Sequence, residues 1–551
     1  MTESNALYYG DNLDILRRYI KDESVDLIYL DPPFKSNQDY NILFAEKDAA
    51  RAASQIKAFE DTWHWDQGAE AAYLEVVEQG GRVSEALQAF RQLLGNNDMM
   101  AYIAMMAPRL EELHRVLRPT GSIYLHCDPT ASHYLKLLMD AIYQPANFRN
   151  EVIWERTTGR KAGKQFGRVH DVLLFYTVGP QAVFHPPTIA QSEITARGHD
   201  LIRDRLGRIC RVSDLSGAGP GPVRAFGARG PLPPPPGRHW AYDQSGIDRL
   251  LAEERIFFSS GNRPRLLTPL SQLAGISVRD VWTDIDPINA AAAERLGYPT
   301  QKPLALLERV IRASSNTGDV VLDPFCGCGT AVEAAQRLGR SWIGIDITHL
   351  AVNLIRHRLR DAFGETVHFD VIGEPVSIPD AQALAASDPY QFQWWALGLV
   401  GARPTDQKKG ADKGIDGRIY FHDNANGKTK QIILSVKAGH TGAAHVHELR
   451  GVIEREKAEI GALISLQKPT RPMREEAASS GFYDPPGWNH KYPRLQLLTI
   501  EELLDGRQID MPPRHWALDA TFKKAPKAAP DATQPGLRLV AEEPETYEPD
   551  G

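Results

Sequence analysis

The amino-acid sequence predicts an α/β protein in which a parallel sheet carries helices on both faces, with a smaller αβ unit after it. Short apolar runs such as 25–30 and 122–126 alternate with amphipathic helical stretches such as 105–117 up to about residue 180. The same alternation returns over residues 304–346. Strands that alternate with helices are typical of parallel sheets with crossover connections. A chain of 551 residues is also too long for one ordinary core, so we expect several domains.

Changes in composition divide the chain. Residues 217–240 are saturated with glycine and proline, so no regular core element fits there. Residues 45–107 are rich in Ala, Glu and Gln and are expected to form a helical insertion, whereas 376–389 are expected to be a linker. We therefore predict one domain in two halves, 1–180 and 291–375, which are separated by an interrupting region at 181–290. A second domain at 390–510 and a disordered tail at 511–551 follow.

The overall composition excludes some classes of protein. Hydrophobic content of 42% and charged content of 24% are typical of a globular protein, and no apolar stretch approaches the ~18 residues of a membrane span. The net charge of −7 means that nucleic-acid binding must depend on local basic patches. The first residues lack a basic-then-apolar export signal. Four cysteines in so long a chain favour a reducing cytoplasm over a disulfide scaffold. The cysteines are Cys127, Cys210, Cys326 and Cys328.

A glycine-bearing turn follows an apolar run in "VVLDPFCGCGTAVEAA", residues 320–335. Gly327 and Gly329 allow the backbone to approach a ligand closely and to take positive φ, and Thr330 can cap the next helix. Asp346 ends the following strand and can accept hydrogen bonds from two ribose hydroxyls. The turn lacks the GxGxxG pattern that cradles a pyrophosphate, which favours a nucleoside ligand such as S-adenosylmethionine. One alternative is a structural αβ turn. Another is a zinc site at Cys326 and Cys328, but these two thiols lack partner Cys or His residues at ligand spacing.

A second turn, "DPPF" at residues 31–34, ends another buried strand. Proline donates no backbone N–H, so the chain must leave the sheet there. The Asp31 carboxylate and the Pro32 carbonyl can both accept hydrogen bonds from one exocyclic amine, which localises its lone pair for attack on a sulfonium methyl group. Phe34 offers a face on which a flipped-out base can stack, and residues 35–44 are a candidate cover. The alternative is a tight surface turn with a solvated Asp31.

Together the two turns resemble the β group of DNA amino-methyltransferases, in which the catalytic string precedes the cofactor string. The resemblance implies a Rossmann-like methyltransferase sheet over about residues 5–375, S-adenosylmethionine as cofactor, double-stranded DNA as substrate and a possible homodimer. It assigns the catalytic role to Asp31, Pro32, Pro33 and Phe34. It assigns cofactor binding to Asp11, Thr300, Gln301, Lys302, Asp323, Phe325, Gly327, Gly329, Thr330 and Asp346. In this reading, 1–180 is the catalytic half, 291–375 the cofactor-binding half and 181–290 the target-recognition region.

Details of the two turns narrow the predicted reaction. Aspartate at position 31 favours adenine N6 over cytosine N4, and the absence of a Pro-Cys pair argues against C5-cytosine chemistry. Phe34 stands where tyrosine is commoner in the family, so stacking is retained and a hydroxyl contact is lost. A catalytically silent DNA-binding adaptor is the alternative from a different class, and the intact turns speak against it.

Two segments are expected to contact DNA. A glycine-bearing loop in 156–171 carries five cations that can contact DNA phosphates. The alternative is a charged loop that is only solvated. The cations are Arg156, Arg160, Lys161, Lys164 and Arg168. The region 181–290 is expected to read the target DNA sequence. Its candidate residues are Arg224, Arg229, Arg238, His239 and Trp240.

The C-terminal unit resembles the PD-(D/E)xK restriction-endonuclease core. Asp416 and Lys437 match a metal-binding acid and the lysine that orients water, but Ser435 stands where a second acidic ligand is expected. Mg²⁺ would be needed only if the unit cuts DNA, and Asp416 is its one candidate ligand. The sequence leaves three alternatives: an active nuclease in a bifunctional restriction-modification protein, a decayed module that binds DNA or a partner, and an unrelated αβ domain.

Overall fold

The structure is a computed structural model of the chain. It describes residues 5–33, 65–157, 159, 166–189, 201–259, 261–269, 276–289, 292–298, 300–405, 414–422, 429–485, 490–512, 521–522 and 524–528. Phe34, the loop 35–44 and three of the five predicted loop cations (Arg160, Lys161 and Lys164) lie outside the described residues. The described residues form two compact units, one within residues 1–185 and 280–529 and the other within residues 186–279. Within the described residues, no helix combines the length and the apolar composition that crossing a membrane requires.

The strands and helices are numbered in chain order. The strands are β1 (Ala6–Tyr9), β2 (Val25–Leu30), β3 (Leu117–Cys127), β4 (Phe148–Glu155), β5 (His170–Thr177), β6 (Thr188–Ile189), β7 (Leu201–Arg203), β8 (Ile209–Asp214), β9 (Ser216–Ala218), β10 (Arg224–Ala225), β11 (Pro231–Leu232), β12 (Arg238–Trp240), β13 (Ile256–Phe258), β14 (Pro264–Pro269), β15 (Ile276–Ser277), β16 (Val281–Trp282), β17 (Val320–Asp323), β18 (Ser341–Asp346), β19 (Asp370–Ile372), β20 (Arg403–Pro404), β21 (Gly417–Phe421), β22 (Lys430–Lys437), β23 (Ile460–Ser465), β24 (Phe482–Tyr483), β25 (Tyr492–Pro493) and β26 (Leu495–Thr499). The helices are α1 (Asn12–Tyr19), α2 (Gln67–Gln79), α3 (Gly81–Leu94), α4 (Asp98–Val116), α5 (Ser132–Tyr143), α6 (Gln244–Ala252), α7 (Leu304–Ser314), α8 (Thr330–Arg337), α9 (His349–Phe363), α10 (Ile378–Ser387), α11 (Pro389–Leu399), α12 (Ala443–Glu456), α13 (Arg471–Ser479) and α14 (Ile500–Leu504).

A nine-stranded sheet forms the centre of the first unit, in the order β16-β4-β5-β3-β2-β17-β18-β1-β19. Neighbouring strands are parallel except that β5 runs antiparallel to β3 and β4. Helices α1, α4 and α5 bury one face, where Leu16, Leu110 and Leu138 join the core. On the opposite face, Ser314 at the end of α7 is hydrogen-bonded to Tyr124 of β3. The predicted α/β fold with helices on both faces is confirmed, with one antiparallel strand that the sequence pattern did not reveal.

The order of the central strands places three carboxylates at one edge of this sheet. Strand β17 lies between β2 and β18, parallel to both. The carboxyl ends of parallel strands meet at the same edge. Asp31, Asp323 and Asp346 stand at or directly after these three ends, so residues about 300 positions apart become neighbours.

The second unit is built differently. Its largest sheet has the order β13-β14-β8-β7, and a small core contains Leu215, Phe226 and Trp240. The expectation that no regular element fits in 217–240 was wrong, because β10, β11 and β12 lie there and β9 begins just before. Glycine makes this possible, since a Cβ on Gly221 would come within 2.2 Å of the Cβ of His239. The glycines permit close strand packing where they were expected to prevent regular structure.

The C-terminal part of the first unit is a five-stranded sheet in the order β20-β21-β22-β23-β26. Its two faces carry separate cores, one with Trp395 from α11 and the other with Leu449 from α12. The predicted smaller αβ domain is therefore present.

The expected linker at 376–389 was wrong, because α10 occupies most of it. Ser377 caps this helix by accepting a hydrogen bond from the backbone N–H of Asp380, and Ala381 is fully buried in the domain core. The run "AQALAAS" has high helix propensity, which explains the helix. This segment therefore belongs to the C-terminal domain.

The expected disorder of the tail was also wrong for residues 521–522 and 524–528. Phe522 stacks on His357 of α9 with ring centroids 4.1 Å apart, and Ala525 is buried beside Leu296 and Cys328. The rest of 513–551 lies outside the described residues. A short apolar patch therefore anchors this stretch, although its composition is typical of disorder.

Candidate active site

The carboxyl edge of the central sheet opens into a cavity of about 300 Å³. Both predicted turns line it, together with the start of α1 and the segment 300–302. The predicted residues that line the cavity are Asp11, Asp31, Pro32, Pro33, Thr300, Gln301, Lys302, Asp323, Phe325, Gly327, Thr330 and Asp346. Gly329 is the predicted cofactor residue that does not line it. Gly329 instead permits a left-handed turn with φ +74°, where a Cβ would lie 2.8 Å from Ile355.

Asp31 is held by a cation. Lys302 Nζ donates a hydrogen bond to Asp31 Oδ2 at 2.5 Å, and both side chains are largely buried. Lys302 was predicted to line the cofactor site, and the structure adds this direct link to the predicted catalytic acid. Because side chains alternate along a strand, Asp31 and Tyr29 project to the same face of the sheet. Both residues line the cavity.

The glycine turn presents backbone donors to a carboxylate. Gly327 has φ +51°, and a Cβ there would lie 3.0 Å from the ring of Tyr298, so glycine fits this position best. The N–H of Gly327 donates to Asp346 Oδ2 at 2.9 Å, and Thr348 donates to Oδ1 through both its N–H and its hydroxyl at 2.9 Å. Asp346 therefore fixes the turn, and it borders the cavity.

Thr330 does not cap α8 as predicted. The N-cap position is Gly329, and α8 has no side-chain cap. The Thr330 hydroxyl accepts a hydrogen bond from the buried Arg358 at 3.0 Å, and Arg358 also pairs with the buried Glu333. The reason is that the helix begins at Thr330 itself, so Thr330 lies inside the first helical turn and not at the N-cap position.

Arg109 is a functional candidate that sequence reasoning missed. Its guanidinium donates to Asp11 Oδ2 at 2.8 Å and to Asn12 Oδ1 at 2.7 Å, and Asn12 in turn donates to the carbonyl of Pro324 at 2.9 Å. Asp11 also caps α1 through the N–H of Leu13. One signal was available: an arginine among the buried residues of α4 needs a partner. Arg109 thus ties Asp11, a predicted cofactor-binding residue, to the turn at 323–330.

The cavity is acidic. Asp11 and Asp31 have cationic partners, whereas within the described residues Asp323 and Asp346 form no ion pair. Burial raises the pKa of Asp323 to about 8, with further contributions from Asp31 and Asp346. Burial also raises the pKa of Asp346 to about 6, although hydrogen bonds from Gly327, Ile347 and Thr348 oppose it. Such carboxyl groups suit a ligand that brings positive charge, and S-adenosylmethionine carries a sulfonium and an ammonium group.

These raised pKa values predict a pH dependence of stability. Between the unfolded aspartate pKa near 4 and the folded pKa values, the folded chain binds more protons than the unfolded chain. The free energy of unfolding is therefore expected to fall as the pH rises from about 4 to about 8. Denaturant unfolding at a series of pH values measures this slope, and Asp323→Asn should flatten it toward pH 8. An equal slope in the variant would contradict the assignment to Asp323.

The predicted DNA-contacting residues have mixed surroundings. Arg156 lies 3.3 Å from the buried carboxylate of Asp171, and Arg168 is exposed on the same loop. In the second unit, Trp240 is buried and donates to the carbonyl of Leu232. Arg238 donates to Ser216, His239 contacts the carbonyl of Gly219, and Arg229 donates to Asn262, while Arg224 is partly exposed. Trp240 therefore serves the core of that unit and is not presented at its surface.

The predicted nuclease-like residues meet in the C-terminal domain. Asp416 Oδ2 accepts hydrogen bonds from the N–H of Val436 at 2.6 Å and the Ser435 hydroxyl at 3.2 Å, and Lys437 Nζ lies 3.9 Å away. Asp416 Oδ1 accepts from the Gln393 amide at 3.1 Å. Among the residues that the structure describes, no cluster of three or more His, Cys, Asp or Glu side chains suits a metal ion. Protein donors therefore hydrogen-bond to both carboxylate oxygens of Asp416, the one candidate metal ligand.

Comparison with known proteins agrees with this geometry. Residues 25–357, more than half of the chain, match the model of a family described as DNA methylase. The chain belongs to this DNA methylase family. Residues 390–505 match a model described as NACHT-associated inactive Restriction Endonuclease 1. The resemblance inferred from the two turns is confirmed. The restriction-endonuclease-like character of the C-terminal domain is confirmed as well.

Individual relatives are more distant. The type II methyltransferase M.EcaI of Enterobacter cloacae is 28% identical over 366 residues, which cover 64% of this chain and 69% of that protein. The Mod subunit of the StyLTI type III restriction-modification enzyme of Salmonella typhimurium is 25% identical, over 61% of this chain and half of that protein. Among solved structures, a putative DNA modification methylase from Thermus thermophilus complexed with S-adenosyl-L-methionine is 16% identical, with a TM-score of 0.33, covering 67% of this chain and all of that one.

Proposed function

We propose that this chain is a site-specific DNA methyltransferase that transfers a methyl group from S-adenosylmethionine to the exocyclic amine of a flipped-out base, most readily adenine N6. One observation supports the proposal above all others. The Asp31 turn and the Gly327 turn, some 300 positions apart in the sequence, line the same cavity. An amine acceptor beside a nucleoside-binding turn is the arrangement that this transfer needs.

The residues of the cavity have separate roles in this proposal. Asp346, Asp323 and the N–H groups of the glycine turn hold the cofactor, which supplies an electrophilic methyl group on a sulfonium. Asp31 accepts a hydrogen bond from the target amine and orients its lone pair, and Lys302 fixes the rotamer of Asp31. Fixing the reactants in one cavity supplies most of the rate enhancement that such a transfer requires. Phe34 remains the proposed stacking partner of the base.

The target base is the finer part of the proposal. Adenine N6 and cytosine N4 are both exocyclic amines with delocalised lone pairs, so the same acceptor serves either. Aspartate at position 31 supports adenine, on the family pattern.

The proposal also includes phosphate contacts by the loop 156–171, sequence reading by residues 181–290, a homodimer and a cytoplasmic location. The four cysteines, all unpaired and buried, agree with a reducing compartment.

Long-read sequencing of DNA from cells that express the chain tests the proposal. N6-methyladenine at one recurring sequence would support it, and N4-methylcytosine would support the cytosine alternative. The matched control is the Asp31→Ala chain expressed at the same level. A purified wild-type chain that binds DNA but leaves every base unmodified would instead support the silent adaptor.

For the C-terminal domain we propose a non-cutting role in binding DNA or a partner. The observation that favours it is the occupation of both Asp416 oxygens by Gln393, Ser435 and Val436. Mg²⁺ requires several oxygen ligands at near-ideal octahedral positions, and one engaged carboxylate cannot supply them.

We therefore predict that the purified chain leaves unmethylated DNA uncut in Mg²⁺ or Mn²⁺. Gel analysis of plasmid and genomic DNA over long incubation measures this, with the Asp416→Ala chain as the matched control. The two proteins should give identical patterns. Cutting by the wild-type chain that disappears in Asp416→Ala would restore the bifunctional nuclease.

A further inference from the structure

A row of buried polar side chains crosses the sheet behind the candidate catalytic acid. The hydroxyl of Tyr29 on β2 lies 2.8 Å from Nδ1 of His126 on β3. Nε2 of His126 lies 3.2 Å from Oδ2 of Asp171 on β5, and Arg156, just after β4, pairs with the other oxygen of Asp171 at 3.3 Å. Tyr29, His126 and Asp171 are each at most 2% exposed. The row therefore connects four adjacent strands.

The strand registers explain why these side chains meet. Tyr29 is opposite Tyr124 on β3, so His126, two residues further on, shares the face of Tyr29 and Asp31. On the next strand, Asp171 pairs in register with Trp154 of β4, and the Trp154 ring lies edge-on to His126. One end of the row reaches the cavity, because Tyr29 lines it.

The hydrogen bonds define the direction in which a proton can move. The Asp171 carboxylate can only accept, so His126 donates Nε2–H to it and Nδ1 accepts from the Tyr29 hydroxyl. Burial opposes ionisation of Asp171, but the hydrogen bond from His126 and the charges of His126, Lys302 and Arg156 lower its pKa overall. Burial and the nearby Asp31 raise the pKa of Tyr29, so its hydroxyl stays protonated at rest. A phenol, an imidazole and a carboxylate in this order form a relay that can store one proton on the imidazole.

Such a row needs an explanation beyond packing. Burying a carboxylate and an imidazole in a sheet core costs several kcal/mol unless they are paired. Apolar side chains of similar volume would fill the same space without that cost. The methyl transfer proposed above also creates a chemical need, because the methylated amine holds one proton too many.

We propose that Tyr29, His126 and Asp171 form a proton relay that takes up the proton released by the target amine during methylation. This inference rests on the proposed amine methylation. Tyr29 is the member that lines the cavity, and His126 and Asp171 act through it as positioning and proton-storing residues.

The step balances without any further reactant. The amine lone pair forms the new N–C bond as the methyl–sulfur bond breaks, and that bond's electron pair remains on sulfur, which becomes a neutral thioether. The nitrogen, now positive, gives one proton to the Tyr29 oxygen while the Tyr29 hydroxyl proton passes to Nδ1 of His126. The imidazolium is stabilised by Asp171. After product release the proton returns through Tyr29 to water in the open cavity.

Single-turnover methylation by the full-length chain tests the relay. Tyr29→Phe should slow methyl transfer about 10²-fold, within the range of general acid–base catalysis, with little change in the dissociation constants for S-adenosylmethionine and DNA. His126→Gln, which keeps hydrogen-bonding groups but cannot store a proton, should act in the same direction. The wild-type rate should be lower in D₂O than in H₂O, and this isotope effect should shrink in both variants.

Tyr124→Phe is the matched control. Tyr124 is opposite Tyr29 in the register, and its buried hydroxyl bonds Ser314 at 2.8 Å, away from the relay. Its loss should leave the rate and the isotope effect unchanged. A Tyr29→Phe chain that methylates at the wild-type rate would overturn the relay while leaving the proposed function intact. Equal losses in Tyr29→Phe and Tyr124→Phe, or no isotope effect in the wild-type chain, would also overturn it, and a wild-type chain without methylation would overturn both.

Discussion

Replacing Asp31 with alanine is expected to reduce the single-turnover rate of methyl transfer by about 10³-fold or more, because it removes the acceptor that orients the target amine. Cofactor binding should change much less, since Asp346 and the glycine turn lie on other strands. Single-turnover rates with radiolabelled cofactor and calorimetric titration of the cofactor separate the two effects. A loss of binding as large as the loss of rate would remove the catalytic role from Asp31.

The ion pair with Lys302 complicates the alanine variant. Without Asp31, Lys302 loses its carboxylate partner in a largely buried position, and a cationic cofactor meets a less favourable electrostatic environment there. Asp31→Asn leaves an amide oxygen for Lys302 and for the amine, so it should retain more cofactor affinity and more activity than Asp31→Ala. Asp128 gives a matched control: it follows the neighbouring strand β3, caps a local turn through the N–H of Thr130, and does not line the cavity. Asp128→Ala should methylate at close to the wild-type rate.

The sequence predicted the cavity because both turns can be located from their own residues, at the points where apolar strands end. Asp31 and Asp346 end apolar runs, and parallel strands bring such ends to one edge whatever their separation along the chain. The positive φ of Gly327 was likewise anticipated from the absence of a side chain. These are local rules, in which the residue type at a strand end or turn determines its place in the sheet.

The residues that the sequence did not reveal depend on long-range register. Arg109 reads as one polar residue in an amphipathic helix until α4 packs against α1 and places it beside Asp11. His126 and Asp171 read as strand residues, and only the pairing of β2, β3 and β5 aligns them with Tyr29. The same limit applies to residues 521–522 and 524–528, whose anchoring depends on His357 of a distant helix. Helix α10 is a different case, because its own residues have the helix propensity that explains it.

Replacing Asp346 with alanine is expected to weaken S-adenosylmethionine binding by about 5- to 150-fold, equivalent to about 1–3 kcal/mol for a lost hydrogen bond to a charged group. Two effects act together, because Asp346 faces the cavity and also holds the N–H of Gly327 and Thr348. Calorimetric titration of the purified chain measures the dissociation constant without requiring activity. An unchanged constant would remove Asp346 from the cofactor site.

The pH dependence of binding separates the two effects of Asp346. Its pKa is raised to about 6 by burial, so at lower pH it is protonated and a cationic ligand must displace that proton. The affinity should therefore rise with pH through about 6, and proton release on binding should be detectable in buffers of different ionisation enthalpy. Asp346→Asn retains an oxygen for the Gly327 and Thr348 donors but cannot titrate, so it should preserve the turn and lose this pH dependence near 6. If Asp346→Asn kept the same pH profile, the titrating group would be another carboxyl, and Asp323 is the next one in the cavity.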